Sequence, residues 1–323
     1  MQGLRQVRPI DPVLTRIVVD FMNSDDSYSI PKIFPAVRTP GDTVTIYKGD
    51  AENSLRYEDP NWARNKEATV IDIRFGSDSY TVVPRALKTL ITESDRRNFL
   101  GDIDLGTFAM RKLTDKMKLA REVKGESLIR NSSNIGGTAA GAAWNAASLD
   151  PPKDFQARNA ACIKATGVRL NTIVFPPGLW DARFATVGAN TAGNLIRSQL
   201  GYLLLATTQN VTPTVAARWM GADNGYVPYA AKAGGAETAT PAKDGATSGA
   251  YVWSDTTVCY YFAIDPNPAQ GVTTYGLTLG PEEQPTADVP FDSWDPWGTW
   301  YRVMHIANEF EVTAKASGKT TGC

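Results

Sequence analysis

The chain has 323 residues, 42% of them hydrophobic, with 33 Lys+Arg against 34 Asp+Glu and a formal net charge of −1. That is enough sequence for one large domain or two medium ones, and the composition excludes a disordered chain. Near-neutral charge also excludes a dedicated nucleic-acid binder, which would carry a strong basic excess.

The charges are unevenly placed. Residues 1–130 hold 21 of the basic and 19 of the acidic side chains. Density in both signs suits salt-bridged contacts more than a partner of one sign. Residues 1–35 have no strong period and are punctuated by Pro9, Pro12, Pro31 and Pro35. With Thr15–Met22 as the only apolar piece, they read as an extended arm with one short helix. No apolar segment follows Arg5 and Arg8, so the signal-peptide pattern is missing. Cys162, Cys259 and Cys323 are scattered and odd in number, which fits a reducing compartment. The longest apolar runs fall far short of a membrane span, and a soluble intracellular product is expected.

Residues 37–83 alternate like strands at Val37–Lys48, Val70–Phe75 and Ser79–Val83. Alternating strands normally gather over a shared apolar face. Here the linker between them is long, charged and poor in Leu, running through Arg56-Tyr-Glu-Asp-Pro-Asn-Trp62. The pattern predicts a two-stranded ribbon that leaves its own subunit and lies on another chain.

From Asp102 the period becomes helical. Leu105, Ala109, Leu113, Met117 and Ala120 fall on one stripe, acidic Asp102 and Asp104 sit at its start, and Glu126 stands four before Arg130. The other face carries Arg111, Lys112, Lys116, Lys118 and Lys124. It reads as a solvated face, or as one turned toward phosphate or an acidic neighbour. Residues 131–149 are a loop by composition. Asp150-Pro-Pro then caps a helix over 151–166 that Gly167 stops. Arg169–Phe175 reads as a buried strand and Leu179-Trp180 as the start of another helix, giving an α–β–α centre. Beyond residue 200, short strands are expected at Leu203–Ala206, Thr214–Met220, Tyr251–Trp253 and Thr257–Ile264, with 230–250 a mobile surface loop. Trp294, Trp297 and Trp300 read as a return of the chain to the core, followed by strands at Tyr301–Ala307 and Glu309–Thr313.

Chemistry is sparse. The single histidine, His305, lies in a strand-like run and reads as a packed or edge residue; one His supplies no metal cluster. No Gly-x-Ser-x-Gly elbow is present, and Gly136-Gly-Thr-Ala-Ala-Gly-Ala-Ala lacks the Gly-Lys-Ser/Thr of a phosphate loop. Carboxylate neighbours such as Glu58/Asp59 point in adjacent, not shared, directions. No catalytic, cofactor or metal residue is assigned. A carboxylate-dependent hydrolase stays open as an enzymatic alternative, because its two carboxylates need not be close in sequence.

The order of parts nevertheless carries a resemblance. Ile30-Pro-Lys-Ile-Phe-Pro35 enters a ribbon that ends in Asp78-Ser-Tyr-Thr-Val82, followed by the step Glu93-Ser-Asp-Arg-Arg97 and the long helix over Leu105–Arg130. Leu170-Asn-Thr-Ile-Val-Phe-Pro-Pro-Gly-Leu-Trp180 looks like a strand-turn-helix. Together these resemble the major capsid proteins of tailed bacteriophages with the HK97-like fold. The resemblance implies an α+β fold and a non-enzymatic protein. It implies an N-terminal arm over 1–34 and an extended β-ribbon over 35–83. It further implies a peripheral domain over 84–200 and 296–323, with a spine helix at about 104–130, and an axial domain over 201–295 clustered near five- and six-fold axes.

It also implies a homo-oligomer of pentamers and hexamers in an icosahedral head that encloses double-stranded DNA, assembled in the host bacterial cytoplasm. Portal, scaffolding and decoration proteins would be its partners. On this reading Tyr47, Tyr57 and Trp62 anchor the ribbon on a neighbour, with Lys48, Arg56, Arg64 and Lys66 as charged contacts. Some relatives cross-link a ribbon lysine to an asparagine, for which Lys48 or Lys66 and Asn308 stand here. The basic face of the long helix would look inward. Another virion part, a tail-tube or adhesion subunit, is the neighbouring alternative.

Overall fold

The computed structural model describes residues 27–49, 55–57, 60, 61, 67, 70, 71, 75–98, 104–131, 135–144, 146, 149–185, 195, 211–233, 249–265, 273–282 and 285–323. The first half runs α1 (Ile30–Ile33), β1 (Ala36–Arg38), β2 (Thr43–Gly49), β3 (Phe75–Thr81), β4 (Arg85–Thr92), α2 (Glu93–Asn98), α3 (Leu105–Arg130), β5 (Gly137–Ala139), α4 (Pro151–Thr166), β6 (Thr172–Val174) and α5 (Pro177–Trp180). Then come α6 (Pro213–Met220), β7 (Asn224–Tyr226), β8 (Ala231–Ala233), β9 (Gly249–Tyr251), β10 (Val258–Phe262) and β11 (Gly276–Gly280). The chain ends with β12 (Thr286–Ala287), β13 (Phe291–Trp294), β14 (Trp297–His305), β15 (Asn308–Glu311) and β16 (Ser317–Thr321).

Local chemistry explains the two main helices. Asp104 accepts hydrogen bonds from the backbone N–H groups of Gly106 and Thr107, and so caps α3. Asp150 does the same for Lys153 at the start of α4, where proline fills the first turn; Gly167, at φ 76°, ends it. A single Cβ-free residue is required there by the left-handed backbone.

Three layers follow. The largest core lies between α4 and a five-stranded sheet in the order β5-β16-β10-β6-β7. Phe155 of α4 meets Tyr261 of β10 edge-on at 5.3 Å. A second core lies between the first half of α3 and the sheet formed by β4, β14, β13 and β12, with Met110, Leu113, Ile91 and Val303 inside it. A third, smaller cluster joins β1, β11 and β15. The sheets do not respect the division expected at residues 200 and 295. The five-stranded sheet takes strands from both sides of residue 200, and a break at 295/296 falls inside the β13–β14 hairpin.

Several expectations are corrected. Residues 213–220 form a helix, not a strand: Thr212 caps it, Pro213 opens it and Gly221, at φ 108°, closes it. Those end signals outweigh the β-branched residues between them. Ala120 is exposed, and the buried stripe of α3 is instead Gly106, Ala109, Met110, Leu113, Thr114, Met117, Lys118, Arg121, Glu122, Gly125, Glu126 and Ile129. Its spacing of three and four is that of one helix face, but five of its members are polar or charged. Trp294 and Trp297 do not return to the core; they are 91% and 59% exposed. They form the last pair of the β13–β14 ladder, beyond the end of β4 at Thr92, so among the described residues no third strand pairs beside them. Strands β4, β5, β7, β8, β11, β12, β13 and β16 have no counterpart in the sequence reading, and β5 lies inside the 131–149 stretch expected as a loop. Leu203–Ala206, residues 1–26 and most of the 230–250 loop lie outside the described residues.

The polar stripe of α3 has specific partners. The Glu122 carboxylate accepts from the backbone N–H of Ser29 (3.1 Å) and Ile30 (3.0 Å), from Ser29 Oγ (2.7 Å) and from Trp253 Nε1 (2.8 Å). Arg121 donates to Glu309 at 2.6 Å and to Thr278 Oγ1 at 2.8 Å, and Arg85 reaches the other Glu309 oxygen at 3.2 Å. Thus α3 is fastened to α1, β11 and β15 by buried charges whose hydrogen bonds are filled.

Gly125 lets α1 approach this face: a Cβ there would lie 2.5 Å from Ile30 Cδ1. Alanine would gain about 1 kcal/mol of helix propensity and lose about 1–3 kcal/mol to overpacking. Gly125→Ala is therefore expected to lower stability by about 1 kcal/mol net. Urea unfolding reads this, and a more stable variant would show that Ile30 moves aside without cost.

Candidate functional site: the ribbon and the exposed faces

The ribbon is built from β2 and β3, paired antiparallel from Thr43↔Thr81 to Gly49↔Phe75. Because strand side chains alternate, Ile46, Lys48, Asp78 and Tyr80 share one face, and Thr45, Tyr47, Phe75 and Ser79 the other. The first face is turned to the body. Ile46, Tyr80 and Val82 pack with Leu277, Leu279 and Phe310; the Tyr80 and Phe310 rings are 4.9 Å apart. Tyr80 also donates its hydroxyl to the Glu311 carbonyl at 3.1 Å. The expectation of a ribbon with no apolar partner in its own chain is corrected at this point: its root is a small core of its own.

Charge decorates that root. Lys48 and Asp78 form an ion pair at 2.5 Å across the ribbon. Burial works against the Lys48 charge, but its bonds to Asp78 and Tyr80 outweigh it and hold the ammonium above the usual lysine range. The same bond holds the Asp78 carboxyl below the usual carboxylate range. Burial raises the nearby Glu311 carboxyl, with Lys48 opposing it.

The second face and the outer ribbon are open. Tyr47 is 74% exposed, Tyr57 82%, Phe75 68%, Val70 84% and Ile71 63%. Leu55 leans toward the end of α4: a Cβ added at Gly167 would lie 3.3 Å from its Cδ2. Leu55 is still half-exposed, so this touch does not bury the outer ribbon. Of the expected contact residues, Tyr47, Arg56 and Tyr57 are exposed, Lys48 is engaged with Asp78, and Trp62, Arg64 and Lys66 lie outside the described residues. Phe75, Val70 and Ile71 were missed, although Phe75 could be found from the register: it stands diagonally beside Tyr47 on one face.

On α3, Arg111, Lys112, Lys116 and Lys124 are exposed as expected, but Lys118 is not. It lies on the Thr114–Arg121–Glu122 side of the helix, is 8% exposed, and sits 5.9 Å from the Tyr28 ring centre. Beside the exposed cations runs an open groove of about 350 Å³ between β4 and α3.

Reactive groups are muted. The three cysteines are free and buried. Burial raises the Cys162 thiol and pushes that of Cys323 up to about 12, so neither is a thiolate nucleophile at neutral pH. His305 is buried in β14 opposite Arg85. Among the described residues no group of His, Cys, Asp and Glu is placed to hold a metal ion, and no helix is long and apolar enough to cross a membrane.

No family model and no curated protein matches the sequence. Solved structures do match. A phage-related protein from Bordetella bronchiseptica superposes with a TM-score of 0.69 at 18% identity, covering 98% of each chain. A structure from Microbacterium phage Oxtober96 gives 0.53 at 9%, covering 91% of this chain and 90% of that one. The capsid of a native GTA particle gives 0.53 at 11%, covering 92% and 90%. At these identities the likeness is one of fold, and it runs end to end. The mixed helix-and-strand fold is that of phage capsid structures, and the resemblance read from the sequence is borne out at that level.

Proposed function

We propose that this chain is the shell-forming subunit of a phage head, in which copies associate into pentamers and hexamers and these into an icosahedral capsid around double-stranded DNA. The observation that carries the reading is the ribbon: among its described residues six large apolar side chains, Tyr47, Leu55, Tyr57, Val70, Ile71 and Phe75, stand more than half exposed on an arm rooted in its own body. Exposed apolar side chains gathered on one arm mark an interaction surface, and a second copy is the partner that a repeating shell supplies. Tyr47, Tyr57 and Phe75 are the anchors in this reading, Arg56 a charged contact, and Trp62, Arg64 and Lys66 further contacts on the outer ribbon.

The strand pairings favour moving the unit boundaries. The peripheral unit is α2, α3, β4 and β12–β14; the axial unit is α4–α6 with the five-stranded sheet, including β16. The exposed cations Arg111, Lys112, Lys116 and Lys124 give a face fit for loose contact with packaged DNA or an acidic neighbour. A portal, a scaffolding or decoration protein and assembly in a bacterial host's cytoplasm belong to the same reading. Raised thiols at Cys162 and Cys323 support a chain without a cysteine nucleophile.

Electron microscopy and size-exclusion chromatography of the purified full chain test it. Rings, capsomers or closed shells are expected. A compact monomer at tens of micromolar overturns the proposal, and tubes or fibres would replace the head by a tail-tube or adhesion part.

A further inference from the structure

The β13–β14 hairpin ends in Phe291-Asp-Ser-Trp-Asp-Pro-Trp297. Its tip presents Trp294 at 91% exposure, Trp297 at 59% and Phe291 at 45%. Within the chain, the described contact to the Trp297 ring comes from the Arg97 guanidinium, 5.7 Å from its centre. Buried tryptophan is a dominant contributor to protein interfaces, and fully solvated pairs of it are uncommon on a monomer. The segment carries Asp292 and Asp295 and no cation.

The groove between β4 and α3 has the opposite character. Its lining is apolar at Leu87, Leu105 and Phe108, and α3 adds Lys112 and Lys116 to it. Among the described lining residues Asp95 is the one acid, and it is engaged by the Thr92 N–H and hydroxyl. At about 350 Å³ the groove has the size of a site for a small organic group or a large side chain. Helix α2 touches both features, with Asp95 at the groove and Arg97 on the tip. The exposure of Trp294 shows that the tip does not fill the groove of its own copy.

We infer that the tryptophan tip of one copy seats in the β4–α3 groove of another copy, an inference that rests on the self-association proposed above. Shape and charge select the occupant. An acidic aromatic tip complements an apolar groove with lysines in its lining, whereas the inner ribbon pairs its lysine with its own aspartate and offers no excess of negative charge. Tip and groove are different patches, so the contact is head-to-tail, and repeated copies either close a ring or continue into a larger array. This interface is separate from the one made by the ribbon, and the tip and the ribbon fail independently.

The test uses the full chain with a benzophenone photo-cross-linking residue in place of Trp294. Isotopically heavy and light copies are mixed, allowed to associate and irradiated, and heavy–light peptide pairs are identified by mass spectrometry. Pairs joining residue 294 to 85–92 or 105–116 of another copy are expected. Charge reversal by Lys112→Glu with Lys116→Glu should cut that yield by about tenfold or more, and adding Asp295→Lys should restore most of it. These side chains are exposed, so the melting curve serves as the folding control. Particles that cross-link from residue 294 only to the ribbon, to another tip or to nothing overturn the inference and leave the proposed function standing. Yields indifferent to the charge reversal also overturn it. If the unmodified chain does not associate at all, the proposed function falls first.

Discussion

A chain in which residues 50–74 are replaced by an Asn-Gly turn is expected to fold at least as stably as the parent and to form no shells. The cut is placed by the register: Gly49↔Phe75 is the outermost pair of the ladder, and a two-residue type I′ turn closes such a pair. Ile46, Tyr80 and Val82 stay, so the root of the ribbon keeps its packing on Leu277, Leu279 and Phe310. What is lost is the outer ribbon, with exposed Leu55, Tyr57, Val70 and Ile71. Removing exposed side chains costs the monomer little, and shortening the closed loop from 25 residues to two relieves roughly 2 kcal/mol of loop entropy. The melting temperature should therefore hold or rise. Assembly should not. Loss of the anchor Tyr57 and the further contact Trp62, at about 2 kcal/mol each, changes a single contact by roughly a thousandfold, and a shell repeats that contact at every subunit. Thermal melts and electron microscopy of the same preparation decide it. Stable variant protein that still forms normal shells would remove the ribbon from the assembly mechanism.

The contrast between the ribbon's root and its outer part shows where sequence reading stops. The alternation read over Val37–Lys48 and Ser79–Val83 announces strands, though not the β3 bounds of Phe75–Thr81, and a helix with a cap at each end, such as α4, is written out in Asp150, Pro151, Pro152 and Gly167. These signals are local, so one window contains them. The partner of Ile46 and Tyr80 is β11 and β15, more than 190 residues further on, and nothing in the window names it. The same holds for the second half of α3. An apolar filter passes over Arg121 and Glu122 because their burial depends on Glu309, 188 residues away, and on Ser29 and Trp253, 93 and 131 residues away. Helix α6 is a different kind of miss. Its signals, Thr212, Pro213 and Gly221, were local and present, and the β-branched Thr214 and Val215 drew attention from them. The tryptophan block failed on a third ground. Residue type argues for burial, but position at the end of a ladder decides it, and strand length is not legible without the partner strand.

The largest single-residue effect on stability is expected at Glu122. Its side chain is fully buried and receives four donors from two segments: two backbone N–H groups and a hydroxyl from Ser29 and Ile30, and the indole N–H of Trp253. Glu122→Ala leaves those donors buried without an acceptor and opens a void beside α1, for which about 3–5 kcal/mol is the expected loss. Glu122→Gln keeps the shape and one acceptor oxygen but turns an NH₂ group toward N–H donors, and should lose about 1–3 kcal/mol. The order wild type, Gln, Ala is the diagnostic result in denaturant unfolding, and a loss below about 1 kcal/mol for alanine would show that water replaces the carboxylate. Hydrogen exchange locates the effect. The amides of Ile30–Phe34 should open first, because Ile30, Ile33 and Phe34 are held against α3 by this carboxylate as well as by their own burial. Phe34 leads directly into β1, and β1 into the ribbon, so Glu122 also sets where the ribbon leaves the body. A Glu122→Gln chain that folds yet assembles poorly would place the direction of the ribbon, beyond its side chains, among the determinants of the shell.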